Sequence, residues 1–197
     1  MSRTAFVISG RNAVWSPDGN LLASVTDFVN KQHISVSVYN TITMTSKVLG
    51  CMPLGKDDFG LVTSIIRLVW SPDSRYLAVS TRKRHVDIFD VAGNDVIHFD
   101  ANVQFQDCGS NDSVVIVRWS PCSTKIAFQL RCNNHTTGAY LVAIFDLEEG
   151  VGIHRNFDMQ LHNSICSWSP DSKEVAYHFI DSDTNVIKLN VVDSKTG

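Results

Sequence analysis

Short runs of β-branched and aliphatic residues recur along the chain, separated by tight polar clusters. Ile65-Ile-Arg-Leu-Val-Trp70, Tyr76-Leu-Ala-Val-Ser-Thr81, Val86-Asp-Ile-Phe-Asp90 and Val96-Ile-His-Phe99 follow one another with only a few residues between them. Val, Ile and Thr dominate such runs, as pleated, half-buried strands prefer. No segment keeps an apolar position every three to four residues over helical length. The pattern predicts an all-β chain of short antiparallel strands.

The pattern also repeats. All four tryptophans stand in one phrase: Trp15-Ser-Pro-Asp-Gly, Trp70-Ser-Pro-Asp-Ser, Trp119-Ser-Pro-Cys-Ser and Trp168-Ser-Pro-Asp-Ser, with Trp spacings of 55, 49 and 49. Eight residues after each Trp comes an alanine preceded by an aliphatic: Leu22-Ala23, Leu77-Ala78, Ile126-Ala127, Val175-Ala176. A third landmark closes 20 to 27 residues after each Trp, as Val36-Ser-Val-Tyr-Asn40, Val86-Asp-Ile-Phe-Asp90, Val142-Ala-Ile-Phe-Asp146 and Leu189-Asn-Val-Val-Asp193. Three landmarks in one order, four times over, define a structural repeat.

Each unit reads as strand, Ser-Pro-Asp turn, strand, polar loop, strand, turn and a weaker strand. Pro presets φ for the first turn position, Asp bonds its own backbone, and Gly accepts positive φ. Ser74, Ser123 and Ser172 replace that Gly, which implies slight strain or another turn type there. A four-stranded unit repeated at this period reads as a β-propeller blade. The predicted blades run approximately over 5–50, 60–100, 113–158 and 163–197. A lone blade leaves both faces uncovered, so Trp15, Trp70, Trp119 and Trp168 are assigned to packing between neighbours, where an aromatic buries roughly 150–250 Å².

The Trp-Ser-Pro-Asp-Gly phrase with its following Leu-Ala resembles the WD40 and WD40-like superfamily, including the TolB-type (PD40) blades. The resemblance runs from about Ala5 to Asp193. It implies four WD40-like blades, as a closed four-bladed propeller or as part of a larger one. The chain departs from the WD40 pattern in closing its third landmark with Tyr39-Asn40, Phe89-Asp90, Phe145-Asp146 and Val192-Asp193, never Trp-Asp. Asp90, Asp146 and Asp193 are the candidates for the turn-capping role of that dipeptide. In WD40 proteins an N-terminal strand often completes the last blade. Thr4–Ser9 could do so here, or residues 4–15 form one long first strand in a piece of a larger propeller.

Up-and-down connectivity sorts the loops. The turns between first and second and between third and fourth strands share one end. The variable second-to-third loops share the other end with the crossings between blades, and variable loops on a rigid scaffold are where binding usually lives. That end carries the candidate partner-binding residues. Arg82, Lys83 and Arg84 form a basic hairpin tip suited to phosphate or an acidic peptide. Asp181 and Asp183 begin a stretch like a calcium loop, but Val186 and Val192 stand where its Gly and Glu belong. Cys132 and His135 offer half of a zinc site, and no second pair has suitable spacing.

Composition narrows the function class. The 197 residues carry 17 Lys and Arg against 20 Asp and Glu, a net charge of −3, without the basic excess that nucleic-acid binding uses. No apolar run reaches the roughly 18 residues of a membrane span. The five cysteines include no Cys-x-x-Cys, and no secretion signal precedes them, which points to reduced thiols and a cytoplasmic location. Nucleophile elbows, Walker loops and dinucleotide fingerprints are missing from the sequence. The expectation is therefore a protein without catalytic, metal-binding or cofactor-binding residues. It would act as a non-catalytic scaffold that binds a protein or peptide on its loop face, with self-association or further blades as options. The alternative is the propeller segment of a larger peptidase of prolyl-oligopeptidase or tricorn type, or a TolB-like protein.

Overall fold

The computed structural model describes residues 12–27, 33–53, 65–81, 85–100, 113–132, 139–150, 152–157, 166–180, 184 and 186–195. These residues form strands and turns and no helix, as the alternation of the sequence predicted. The chain divides into two compact units, Met1–Thr63 and Ser64–Gly197.

The first unit holds one antiparallel sheet in the order β1 (Asn12–Trp15), β2 (Leu21–Asp27), β3 (His33–Asn40) and β4 (Thr45–Pro53). Cross-strand partners share a face, and Ala23 opposite Val38 and Val25 opposite Val36 give this sheet a buried apolar face.

The second unit holds three sheets. The first is β5 (Ile65–Trp70), β6 (Tyr76–Thr81), β7 (His85–Asp90) and β8 (Val96–Asp100). Next come β9 (Ser113–Trp119), β10 (Lys125–Cys132), β11 (Ala139–Asp146) and β12 (Gly152–Phe157). The last contains β13 (Cys166–Trp168), β14 (Glu174–Ile180) and β15 (Ile187–Asp193). Every pairing joins consecutive strands antiparallel.

These three sheets stack face to face, with the opening strands β5, β9 and β13 side by side. Between the first two sheets lie Ala78, Val86, Ile88 and Phe99 on one side and Val117, Trp119, Ile126, Phe128 and Phe145 on the other. Phe99 anchors that layer, with ring centroids 4.6 Å from Phe128 and 5.7 Å, edge-on, from Phe145. Between the second and third sheets lie Ala127, Val142 and Ile144 against Cys166, Val175, Tyr177 and Val192. In the second unit Ala78 and Ala127, each eight residues after a Trp, therefore face the next sheet, where a small side chain admits close approach.

Candidate binding surfaces

The Trp-Ser-Pro phrase builds the same turn four times. In each copy the Ser N–H donates to a carbonyl five residues on, as from Ser71 to Tyr76 (2.9 Å) and Ser120 to Lys125 (2.9 Å). The Ser hydroxyl accepts the returning N–H of that residue, from Tyr76 at 2.9 Å and from Lys125 at 3.0 Å. The fourth turn residue has positive φ: 73° at Gly19, 62° at Ser74, 65° at Ser123 and 62° at Ser172. Three serines thus hold a conformation that L residues enter at a cost.

The reason is visible across the sheet boundary. Ser123 Oγ accepts the backbone N–H of Asp73 in the preceding sheet at 3.1 Å, and Ser172 Oγ accepts that of Cys122 at 3.0 Å. A second bond has the same offset of 50 residues. The Trp119 indole N–H donates to the Val69 carbonyl at 3.0 Å, and that of Trp168 to the Arg118 carbonyl at 3.1 Å. Within this unit the second and third sheets are each therefore fastened to the one before by one indole and one hydroxyl. The sequence marked the tryptophans but read the serines only as turn strain. The missed signal was that Ser, rather than Gly, recurs at that position in three units of four.

Other groups tighten the same end. The two turns of each sheet are joined by backbone bonds: Thr41 N–H to Asn20 O (2.9 Å), Val91 to Arg75 (3.0 Å), Leu147 to Thr124 (2.8 Å) and Ser194 to Lys173 (2.6 Å). The landmark carboxylates cap the second turn. Asp90 Oδ1 accepts from Ala92 and Gly93, Asp146 Oδ1 from Glu148, and Asp193 Oδ1 from Lys195. Partial burial opposes ionisation of Asp90. The Gly93 N–H and the Arg75 guanidinium outweigh it and hold the carboxyl below its ordinary value. Buried Lys125 spans two sheets, donating from Nζ to Ser194 Oγ at 2.8 Å with Asp146 Oδ2 at 3.6 Å.

Cys122 stands where the other turns have Asp. At that place Asp73 and Asp171 accept a Ser hydroxyl and the N–H two residues on (3.1 Å in both). Cys122 Sγ occupies the same setting, 3.3 Å from Ser120 Oγ and 3.1 Å from Thr124 Oγ1. Partial burial disfavours the thiolate, but hydrogen bonds from Ser120, Ser172 and Thr124 outweigh it and lower the thiol to about 7. Its partners in these contacts are hydroxyls, which polarise the thiol.

The hydroxyls and N–H groups named above tie the tight-turn end together internally. The strand ends that lead into the second-to-third loops, such as Asp27 paired with Ile34, lie at the opposite end. Arg82, Lys83, Arg84, His135, Asp181 and Asp183, assigned to that end from sequence, lie outside the described residues. Trp70 and Trp119 are buried at 7% and 8% exposure, and Trp168 is half-buried. Trp15 differs, with 58% of its surface exposed. Among the described residues no group of three His, Cys, Asp or Glu side chains is placed to hold a metal ion, and no helix is long and apolar enough to cross a membrane.

No protein-family model matches the chain, and no curated protein does. Solved structures do. The β-propeller domain of the Trilobed protease from Pyrococcus furiosus, described as having an open velcro topology, is 17% identical with a TM-score of 0.60 over 95% of this chain and 55% of that one. Tricorn protease is 11% identical, with a TM-score of 0.58 over 87% of this chain and 16% of its own. The Cps50 (Swd1) β-propeller domain of Myceliophteria thermophila is 16% identical, with a TM-score of 0.55 over 98% of this chain and 55% of its own. At such identities the likeness shows the fold: the sheets are β-propeller blades, in keeping with the WD40 and TolB-like resemblance of the repeat. The chain spans little more than half, at most, of these three relatives.

Proposed function

We propose that the chain is a non-catalytic propeller scaffold of four WD40-like blades, working in the reducing cytoplasm and holding a protein or peptide partner on its second-to-third loops. The observation that carries this reading is the internally bonded turn end. One indole and one hydroxyl bond at each of the two blade boundaries of the second unit make a stiff base. A stiff base holds the opposite loops in fixed relative positions, which is what recognition by several loops needs. The basic tip Arg82–Arg84 suits an acidic segment of the partner.

The test compares capture of cellular proteins by the native chain and by an Arg82, Lys83, Arg84→Ala triple variant. A partner recovered by the native chain and lost with the variant supports the tip as a contact. Unchanged recovery excludes the tip as a major contact. Recovery of no partner by the native chain overturns the scaffold reading.

A second reading is favoured by the likeness to tricorn protease and to the Trilobed protease propeller. In it the chain is the propeller segment of a larger peptidase and itself holds no catalytic residue. The two readings part on the complete gene product. An α/β-hydrolase segment with Gly-x-Ser-x-Gly supports the peptidase, and further Trp-Ser-Pro repeats support the scaffold.

A further inference from the structure

Among the described residues two buried side-chain atoms lack a hydrogen-bond partner, Ser80 Oγ and Gln129 Oε1. Both residues are 1% exposed. They hold one position of the repeat, ten residues after Trp70 and after Trp119. Strand residues two apart share a face. Ser80 therefore looks with Ala78 into the layer between the first two sheets of the second unit, and Gln129 with Ala127 into the layer between the second and third. Their cross-strand partners, Val86 and Val142, belong to those same apolar layers. A polar atom left unbonded in such a layer forfeits its hydration with nothing in return.

The backbone departs from regular pairing at the same two places. Ser80 pairs with Arg67 and Thr81 with Ile65, so Ile66 stands between them as an extra residue. Gln129 pairs with Ile116 and Leu130 with Val114, which leaves Val115 extra in the same way. Each is a β-bulge in the opening strand, next to the unbonded oxygen, and the extra residue of a bulge falls out of the ladder. A hydroxyl in one blade and an amide in the next thus meet an interrupted backbone at one repeat position. The geometry points to an internal water at each of these two boundaries, bound by Ser80 Oγ in the first and by Gln129 Oε1 in the second, with the bulge backbone as its further partner. Water fits both sites because it donates and accepts, carries no charge into an apolar layer, and bonds a hydroxyl or an amide oxygen equally well. Buried waters typically make about three such bonds.

The two boundaries are then closed in two ways. At the tight turns an indole and a serine hydroxyl bond directly across. Four residues further along β6 and β10, counted from Tyr76 and Lys125, a water takes that part. The turn end is held by fixed groups, and the way towards the second-to-third loops is held through exchangeable solvent.

A high-resolution crystal structure of the full chain tests the sites directly. An ordered water within about 3.2 Å of each oxygen and of a bulge backbone group is expected. Substitution supplies a second measurement in solution. Gln129→Met keeps the length of the side chain and removes the acceptor, and Ser80→Ala removes the hydroxyl. Each is expected to lower the folding equilibrium constant roughly two- to tenfold in urea unfolding, the span of one net hydrogen bond, and to empty its own site while leaving the other filled. Were the oxygens unbonded in solution, the apolar replacements would be neutral or stabilising. That result overturns the proposal, as does a crystal structure in which either oxygen bonds a protein group directly or has no water beside it. Density for a larger or charged molecule overturns water as the ligand.

Discussion

The strands β7 and β15 occupy the same place in their blades and meet opposite surroundings. Val86 and Ile88 of β7 are completely covered, packed against Trp119, Phe128 and their neighbours in the following blade. Leu189 and Val191 of β15 sit at the equivalent repeat positions and stand largely in water. Composition does not separate the two strands, since both alternate aliphatic and polar residues as half-buried strands do. The difference is the neighbour. A propeller blade is designed around two covered faces, and its stability is a sum of its own strands and the boundaries it shares.

The largest expected effect breaks that comparison directly. Ile88→Ala opens a cavity between two sheets and should destabilise the second unit by about 2–5 kcal/mol. Val191→Ala, at the matching position, should cost under about 0.5 kcal/mol, as substitutions at exposed sites do. Urea unfolding measures both. Equal costs would mean that the two faces are covered alike.

The next effect concerns the hydroxyl bond that β15's blade makes to the blade before it. Ser172→Ala keeps the unfavourable positive φ and deprives the Cys122 N–H of its acceptor, which should cost about 1–2 kcal/mol. Ser172→Gly loses the same bond but relieves the backbone, so it should cost clearly less than the alanine variant. Thermal unfolding of the pair reads the order. An alanine variant as stable as the glycine one would show that the positive φ carries no strain there. Trp168→Phe, which removes only the donor to the Arg118 carbonyl, belongs between them at about 1 kcal/mol.

The fold was legible because strand periodicity and turn chemistry are local. The Ser-Pro-Asp phrase marks a hairpin wherever it occurs, and Leu77-Ala78 or Ile126-Ala127 after it mark the covered strand. The inter-blade bonds were not legible, because a donor and an acceptor 50 residues apart share no local signature. Only the recurrence of Ser74, Ser123 and Ser172 hinted that a hydroxyl was wanted where glycine is easier. The exposure of Trp15 was hidden for the same reason, since it shares the Trp-Ser-Pro phrase of the covered tryptophans. The loop residues Arg82–Arg84, His135, Asp181 and Asp183 were chosen from charge and ligand type. Such features mark a surface as capable of binding without naming what it binds.

The smallest effects follow ionisation at the turns. Asp90 lies below its ordinary value of 3.8, so its contribution to stability is present above that value and lost as pH falls through the lower folded value. In acid unfolding, Asp90→Asn should flatten the pH dependence below about 4 and lower neutral stability slightly, by the part that ionisation supplies.

Cys122 gives the same sign in another window. Its thiol falls from 9.0 to about 7 on folding, so its contribution is complete above 9.0 and fades as pH drops through about 7. Its side chain is exposed, so solvent screening keeps that gain shallow. Reactivity reads the shift more directly than stability. Iodoacetamide labelling followed by peptide mass mapping should modify Cys122 with a midpoint near 7. Buried Cys166, pushed up to about 11 mainly by desolvation, should stay unmodified until the fold opens. Cys122→Asp puts into this turn the carboxylate that Asp73 and Asp171 supply to theirs, and should abolish both the labelling and the gain in stability between pH 7 and 9. A Cys122 that labels only with a midpoint near 9 would show that the turn does not favour an anion there. The likeness between the thiol turn and the carboxylate turns would then be one of shape alone.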